Sequence, residues 1–275
     1  SAGPAGSMPG GKRKAGVVGM SWPKSLAYAV QHLTRLHIWD GEFDPLALGR
    51  SGMFFPLAGL LLGSFLVGIY WLCGMVFPPL VTAALLVVGL VLLTGGLHLD
   101  GFMDTMDGVL SGRSPERKLE IMRDSRVGAF GALSVVCLLM LKLVLIFCLP
   151  AFIMPRVLLL VPVLSRWGML YVIARFPYAR PEGLGRLFHQ YTGGRELAVG
   201  GMTALLAGGL VGGPGGLVLL LTSTVLAHGL GRWWQGHLGG LTGDTYGATN
   251  EILEVCLLMA VYPLYRLAGI HFWWM

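Results

Sequence analysis

Residues 51–99 contain no Asp, Glu, Lys or Arg. One membrane crossing takes about 20 apolar residues as a helix, so this stretch is long enough for two, and it offers a water-soluble fold no charge to present to solvent. The remainder of the chain agrees. Of 275 residues 55% are hydrophobic and 12% charged, about half the charged share of a soluble domain. Intrinsic disorder is excluded as well, because disordered chains combine low hydrophobicity with high charge. The 42 glycines follow no collagen-like period and lie mostly inside apolar runs, where small residues let membrane helices approach closely. A formal net charge of +6 fits basic cytoplasmic loops better than nucleic-acid binding in a chain this apolar. The expected surroundings are a lipid bilayer, with no nucleic acid.

Spans are expected at 53–72 and 77–94, on either side of the Pro78-Pro79 turn, and two more within 127–174, which Pro150 and Pro155 divide. The charge-free 197–231 run is interrupted by Gly-Gly-Pro-Gly-Gly at 212–216, the mark of a hairpin of two short spans or of a re-entrant pair. A last span covers 252–270. The expected fold class is therefore all-α, a polytopic integral membrane bundle of about seven transmembrane helices. Its single membrane domain covers 51–275, an N-terminal cytoplasmic segment covers 8–50, and residues 1–7 read as a tag remnant. No removable signal peptide is expected, the first apolar run starting only near Met53. Sixteen of the 20 Lys and Arg fall in 1–50, 96–126, 174–196 and 231–250. If the spans pair as hairpins these segments share one side, and positive charge marks it as cytoplasmic. The N-terminus then lies there and the aromatic tail His271-Phe272-Trp273-Trp274 at the opposite interface. Cys73, Cys137, Cys148 and Cys256 lie in apolar runs without metal-like spacing and are expected to be small core residues.

All 14 acidic residues lie in those same segments or at the start of the last span. Asp100, Asp104 and Asp107 are spaced by four and then three, which on a helix puts all three within a stripe of about 60°. Carboxylates that close repel, and a hard divalent cation such as Mg²⁺ relieves them. The neighbouring Gly95, Gly96, Gly101 and Gly108 are poor formers of a solvated helix but leave room for a ligand or a packed helix. The plain alternative is a solvated polar helix end. His98 beside the stripe is a candidate ligand, although a lone His is more often structural.

Ser114 reads as an N-cap and Pro115 as a first helical position of a short helix where Arg117, Lys118, Arg123, Asp124 and Arg126 gather. Beside a metal site, cations at this density suit a diphosphate; a loop that only anchors topology has the same composition. Arg166 stands midway along the fourth span, where a cation is expensive and functional by default, and is expected to face the bundle interior. Lys142, Arg156 and Arg266 lie nearer span ends, can snorkel and receive no role. Around the start of the last span, Asp244, Asn250, Glu251 and Glu254 read as a second ligand set for the metal or a substrate hydroxyl, unless Asp244 or Thr249 merely caps the helix. An acid-lined Mg²⁺ site beside a basic cluster at the cytoplasmic face points to an alcohol attacking a phosphate. The P-loop pattern is absent.

Four segments in order, GGLHLDGFMDTMDG (95–108), RKLEIMRDSRVGAFG (117–131), SRWGMLYVIARFPYARPEGLG (165–185) and GGLTGDTYGATNEILEV (239–255), resemble the cobalamin synthase family, the adenosylcobinamide-GDP ribazoletransferases. FFPLAGLLLG (54–63) and Leu33-Thr34-Arg35 fit too, so the resemblance covers about residues 24–265. It implies a multi-pass enzyme of a bacterial or archaeal inner membrane that joins adenosylcobinamide-GDP to α-ribazole, or its 5′-phosphate, late in vitamin B12 synthesis. GMP leaves and Mg²⁺ is required. It implies Asp100, Asp104 and Asp107 as metal positions, Asp107 or Asp124 as base, and Lys118, Arg123 and Arg126 on the phosphates. Arg166, Asp244, Asn250, Glu251 and Glu254 are placed on the corrinoid or ribazole side. Leu99 stands where many relatives carry an acid, so no fourth carboxylate is expected there. A homo-oligomer or contacts with other proteins of cobalamin synthesis are further partner expectations.

Two rival readings make different demands. A CDP-alcohol phosphotransferase shares the chemistry, but its D-G-x-x-A-R element is absent, Asp100-Gly101 being followed by Phe102-Met103-Asp104-Thr105. A corrinoid or ion transporter requires carboxylates near mid-bilayer and broken-helix repeats.

Overall fold

Apolar runs that cannot pair their backbone groups with water fold as helices, which satisfy every interior N–H and C=O within the segment. The computed structural model describes residues 22–267, so the expectations for 1–7 and for the 271–274 tail lie outside the described residues. Helices α1 (Trp22–Leu33) and α2 (Pro45–Arg50) lead through a 3₁₀ turn (Ser51–Phe54) into α3 (Phe55–Gly74). There follow α4 (Pro79–Thr94), α5 (Leu97–Val109), α6 (Pro115–Ile121), α7 (Ala129–Phe147), α8 (Met154–Arg175), α9 (Leu184–Tyr191), α10 (Gly194–Leu238) and α11 (Gly243–Leu267).

Five helices, α3 with its lead-in, α7, α8, α10 and α11, are long and apolar enough to cross a membrane; α4 with α5 makes a sixth if taken together, although the pair is bent by 91°. Helix α10 enters this count once, although it joins two helices across a kink and is folded into the hairpin expected at 197–231. Gly213 adopts φ 55° and ψ −144°, a conformation open to glycine alone. A Cβ on Gly216 would lie 2.1 Å from the Gly208 carbonyl oxygen, whereas a straight helix separates these residues by about 12 Å. Trp167 of α8 packs on Gly201 in one limb and donates to Thr224 Oγ1 in the other, at 2.9 Å. Helix α10 therefore begins and ends at the same end of the bundle.

Helix α8 is the hub, packed by α3, α10 and α11, with Leu160, Val163, Leu164 and Leu170 fully buried. Helix α3 comes closest at Gly59 and Gly63, where an added Cβ would stand 2.3 and 2.7 Å from the carbonyl oxygens of Pro162 and Leu158. This is the small-residue contact by which membrane helices approach. The outer face exposes Leu72, Val88, Leu133, Val144, Leu210 and Leu221, which a bilayer covers. The cysteines correct the sequence expectation in the same way: Cys137 and Cys148 are exposed, Cys73 and Cys256 half-buried, and all four are free. Lipid is as apolar as a core, so an apolar run does not say which way a small residue faces.

The connections divide between two ends. Residues 75–78, 148–153 and the Gly213 bend lie at one end; 95–96, 110–128, 176–193 and 239–242 lie at the other. At this second, polar end two main-chain bonds tie the chain leaving α8 to the chain entering α11: Ala179 N donates to Leu241 O at 2.7 Å, and Leu241 N to Pro177 O at 2.8 Å.

Candidate active site

Gly95 and Gly96 both hold positive φ, 64° and 71°, and this pair turns α5 away from α4 so that it packs on the start of α11. A Cβ on Gly101 would stand 2.9 Å from the Asp244 Cα, and one on Gly247 would stand 3.1 Å from the His98 Cα. The turn brings Asp100, Asp104 and Asp107 to the polar end on one helix, as expected from their spacing. Their surroundings differ. Asp100 is exposed, whereas Asp104 and Asp107 are half-buried. Asp107 accepts from Gly128 N and Gly131 N, both at 2.8 Å, so its carboxylate closes the N-terminus of α7, where free N–H groups and the helix dipole favour an anion.

Two hollows meet at this end and share Asp100, His32 and Leu97 on their walls. One, of about 270 Å³, runs inward past His98, Tyr178, Arg180, Phe188, Asp244 and Tyr246. The other, of about 500 Å³, is more open and is bordered by Gln31, Thr34, Arg35, Gly95 and Gly96.

Arg180 Nη2 holds Asp244 Oδ2 at 2.7 Å and reaches the Met122 carbonyl at 3.5 Å, so one guanidinium joins α11 to the residue that follows α6. In the sequence Arg180 reads only as one of several basic loop residues; its place in the 165–185 motif is the signal that sets it apart. Burial pushes the Tyr178 hydroxyl pKa up. Neither Asp244 nor Thr249 caps α11. Thr242 N donates to Thr245 Oγ1 at 2.8 Å and Thr245 N donates to Thr242 Oγ1 at 3.2 Å, while Thr249 Oγ1 accepts from Trp234 Nε1 at 3.0 Å. Asp244 is thus free to face the hollow.

Ser114 caps α6 with Pro115 in its first turn, as the sequence indicates. Beyond that helix Arg123 and Arg126 are exposed, while Lys118 is buried, its backbone lying against Gly108 of α5. Asp124 gives both oxygens to Arg126, Nε to Oδ1 at 3.0 Å and Nη2 to Oδ2 at 2.7 Å. These bonds hold its carboxyl pKa down at about 2, which makes it a weak proton acceptor.

Arg166 faces inward as expected and is fully buried. Its Nη1 donates to Glu254 Oε1 at 2.9 Å, an oxygen that also accepts from Asn250 Nδ2 at 3.2 Å. Lys142 Nζ lies 2.5 Å from Glu251 Oε2 and 2.6 Å from Glu254 Oε2. Two cations and two carboxylates therefore neutralise one another inside the bundle. This corrects one expectation, since Lys142 does not snorkel. Arg166, Asn250, Glu251 and Glu254 line neither hollow.

Among the described residues no group of three or more His, Cys, Asp or Glu is arranged to hold a metal. The residues present do not form a three-carboxylate cage. They do fit Mg²⁺ in its usual manner, one or two carboxylates with water and phosphate oxygens completing the shell, since Asp100 opens onto both hollows and Asp104 follows it one helical turn later.

The profile of the family described as cobalamin-5-phosphate synthase matches residues 25–262. A protein of Roseiflexus sp. (strain RS-1) named adenosylcobinamide-GDP ribazoletransferase is 47% identical over 212 residues, 77% of this chain and 79% of that protein. Proteins of the same name from Desulfitobacterium hafniense (strain Y51) and Acetivibrio thermocellus are 44% identical over 252 residues and 37% over 247. Each alignment covers 88% of this chain, with 97% and 99% of the relative. No solved structure matches the chain.

Proposed function

The chain belongs to the cobalamin-5-phosphate synthase family, and we propose that it is the multi-pass membrane enzyme that joins adenosylcobinamide-GDP to α-ribazole, or to its 5′-phosphate, with release of GMP. The observation that carries the proposal is the pair of hollows meeting at Asp100: a transfer between two substrates needs two sites with one reactive wall. In the reaction the ribazole hydroxyl oxygen bonds to the phosphorus on the corrinoid side of the diphosphate. The bond from that phosphorus to the bridging oxygen breaks, and its electron pair leaves with GMP.

Asp100 and Asp104 would hold Mg²⁺, which when bound neutralises phosphate oxygens. The hydroxyl proton needs a carboxylate with a free oxygen. Asp107 and Asp124 have both oxygens engaged by N–H donors. Asp244 has Oδ2 held by Arg180, with no partner for Oδ1 among the described residues, and it receives the proton in this mechanism. Arg180 stands within the hollow as a fixed cation, while Arg123 and Arg126, exposed on the neighbouring loop, attract the phosphates, and Lys118, buried in α6, supports that loop from beneath. Asp107 keeps its metal-side position but serves by fixing α7. The polar end, with the N-terminus, faces the cytoplasm, because the basic loops gather there.

Purified protein incubated with adenosylcobinamide-GDP, α-ribazole and Mg²⁺ is expected to release GMP in step with the joined corrinoid product. Absence of GMP with Mg²⁺ or Mn²⁺ present would overturn the proposal. Loss of turnover in EDTA, restored by Mg²⁺, tests the metal separately.

A further inference from the structure

We propose that the two hollows divide the substrates between them. The enclosed hollow of about 270 Å³ takes the acceptor nucleoside by its flat heteroaromatic base, and the activated donor lays its diphosphate along the open hollow of about 500 Å³, so that hydroxyl and phosphorus meet at Asp100. The division rests on the transfer reaction proposed above and adds which surface selects which substrate.

Three features of the enclosed hollow point to a neutral, planar ligand. Its walls carry several aromatic rings. Phe188 lies 5.0 Å from His32 and 5.3 Å from Phe55, centroid to centroid, and Tyr178 and Tyr246 stand 6.1 Å apart; clustered rings of this kind favour another flat ring packed on them. The cation that enters it is already neutralised, Arg180 by Asp244, so an anionic head group finds no free cation there. Polar capacity nevertheless remains unused. His98 Nδ1, Tyr246 Oη and Arg180 Nε are all buried with no hydrogen-bond partner, and the His98 and Tyr246 residues are only 4% and 3% exposed. Buried polar atoms are paired in nearly every folded protein. A nucleoside supplies what these atoms lack, through a ring nitrogen that accepts and sugar hydroxyls that both donate and accept.

Size separates the substrates in the same sense. Sites for drug-sized ligands run from about 300 to 1,000 Å³, and a hollow of 270 Å³ has room for a two-ring base with part of its sugar but none for a corrin macrocycle. The open hollow has different chemistry. The Arg35 side chain lies over Gly95, and α5 begins beside it at Gly96 without a side-chain cap. Its first N–H groups and the guanidinium suit the phosphates of a nucleoside diphosphate.

Steady-state kinetics of the full-length purified protein, varying each substrate in turn, test the division. Tyr246→Phe removes only a hydroxyl that has no protein partner, so the variant folds as the parent does. It is expected to raise KM for α-ribazole about fivefold, and Phe188→Leu about tenfold, with KM for adenosylcobinamide-GDP and kcat within about twofold. Arg35→Gln is expected to do the reverse, raising the donor KM and leaving the acceptor KM in place. A donor KM that rises in Tyr246→Phe, or an acceptor KM unmoved by it, overturns the division. Should the parent protein release no GMP, the transfer reaction itself falls. Turnover by the parent with the wrong KM displaced removes the division alone.

Discussion

Asp244 and Glu254 stand on the same helix, about 15 Å apart along its axis, and both are paired with arginine, yet they belong to different kinds of charge. Glu254 is enclosed with Glu251, Lys142 and Arg166, and every charge there has a counter-charge from another helix. Asp244 opens onto a hollow beside three further carboxylates on α5 and a fringe of exposed arginines. Enclosed ions must be matched, because an unmatched charge in an apolar interior carries several kcal/mol of desolvation. Ions at the bundle end can remain unmatched, because water or an incoming phosphate completes them. The inner cluster therefore holds α7, α8 and α11 together, and in the proposed mechanism the outer one governs turnover.

Glu254→Gln gives the largest effect that could break this contrast. It leaves two cations facing one carboxylate, for an expected loss of about 3–5 kcal/mol, seen as a collapse of monodisperse protein or a sharply lower Tm in detergent. The matched double change Lys142→Met with Glu251→Leu is expected to recover much of the folded yield relative to either single variant, since a neutral pair replaces an ion pair. Asp100→Asn should lower kcat/KM by about 100-fold or more, roughly 2.7 kcal/mol of transition-state stabilisation, with Tm unchanged; a Tm loss comparable to that of Glu254→Gln would dissolve the distinction. Asp107→Asn lies between the two regions. It removes the anion at the α7 N-terminus, and its expected cost of about 1 kcal/mol should appear in thermal unfolding as well as in rate. Arg126→Gln is the smallest: an exposed pair contributes about 0–1 kcal/mol, so Tm should hold while the donor KM rises a few-fold and becomes less sensitive to salt.

Much of the local geometry at the polar end is legible in the sequence alone. A stripe of carboxylates at helical spacing, a Ser-Pro helix start and a Gly-Gly-Pro-Gly-Gly bend each encode a local geometry, and α5, the α6 cap and the α10 hairpin follow it. Arg166 could be aimed inward because lipid gives a mid-span cation no other direction. The partners were a different matter. Lys142 lies 109 residues from Glu251 and 112 from Glu254, and nothing in its own neighbourhood distinguishes a lysine that snorkels from one that reaches across a bundle. Arg180 was overlooked because it sits in a loop with other basic residues, and only the clasp between the chain after α8 and the chain before α11 carries it to Asp244. The cysteines depart from the core positions expected of them for a reason particular to membranes, where hydrophobicity no longer separates inside from outside.

The bonds from Gly128 and Gly131 to Asp107 also shape how the basic loop behaves. With its far end fastened to the last turns of α5, the segment from 108 to 127 is a closed ring rather than a free strand. Ring closure depends only weakly on contour length, about 0.6 kcal/mol for each doubling. Residues can therefore be added to or removed from the stretch around Gly112 with little penalty to folding, while the two ends remain in register with the carboxylates. Variation in reach is tolerated by the fold on the part proposed to meet the phosphates, and the anchorage that sets its position is left untouched.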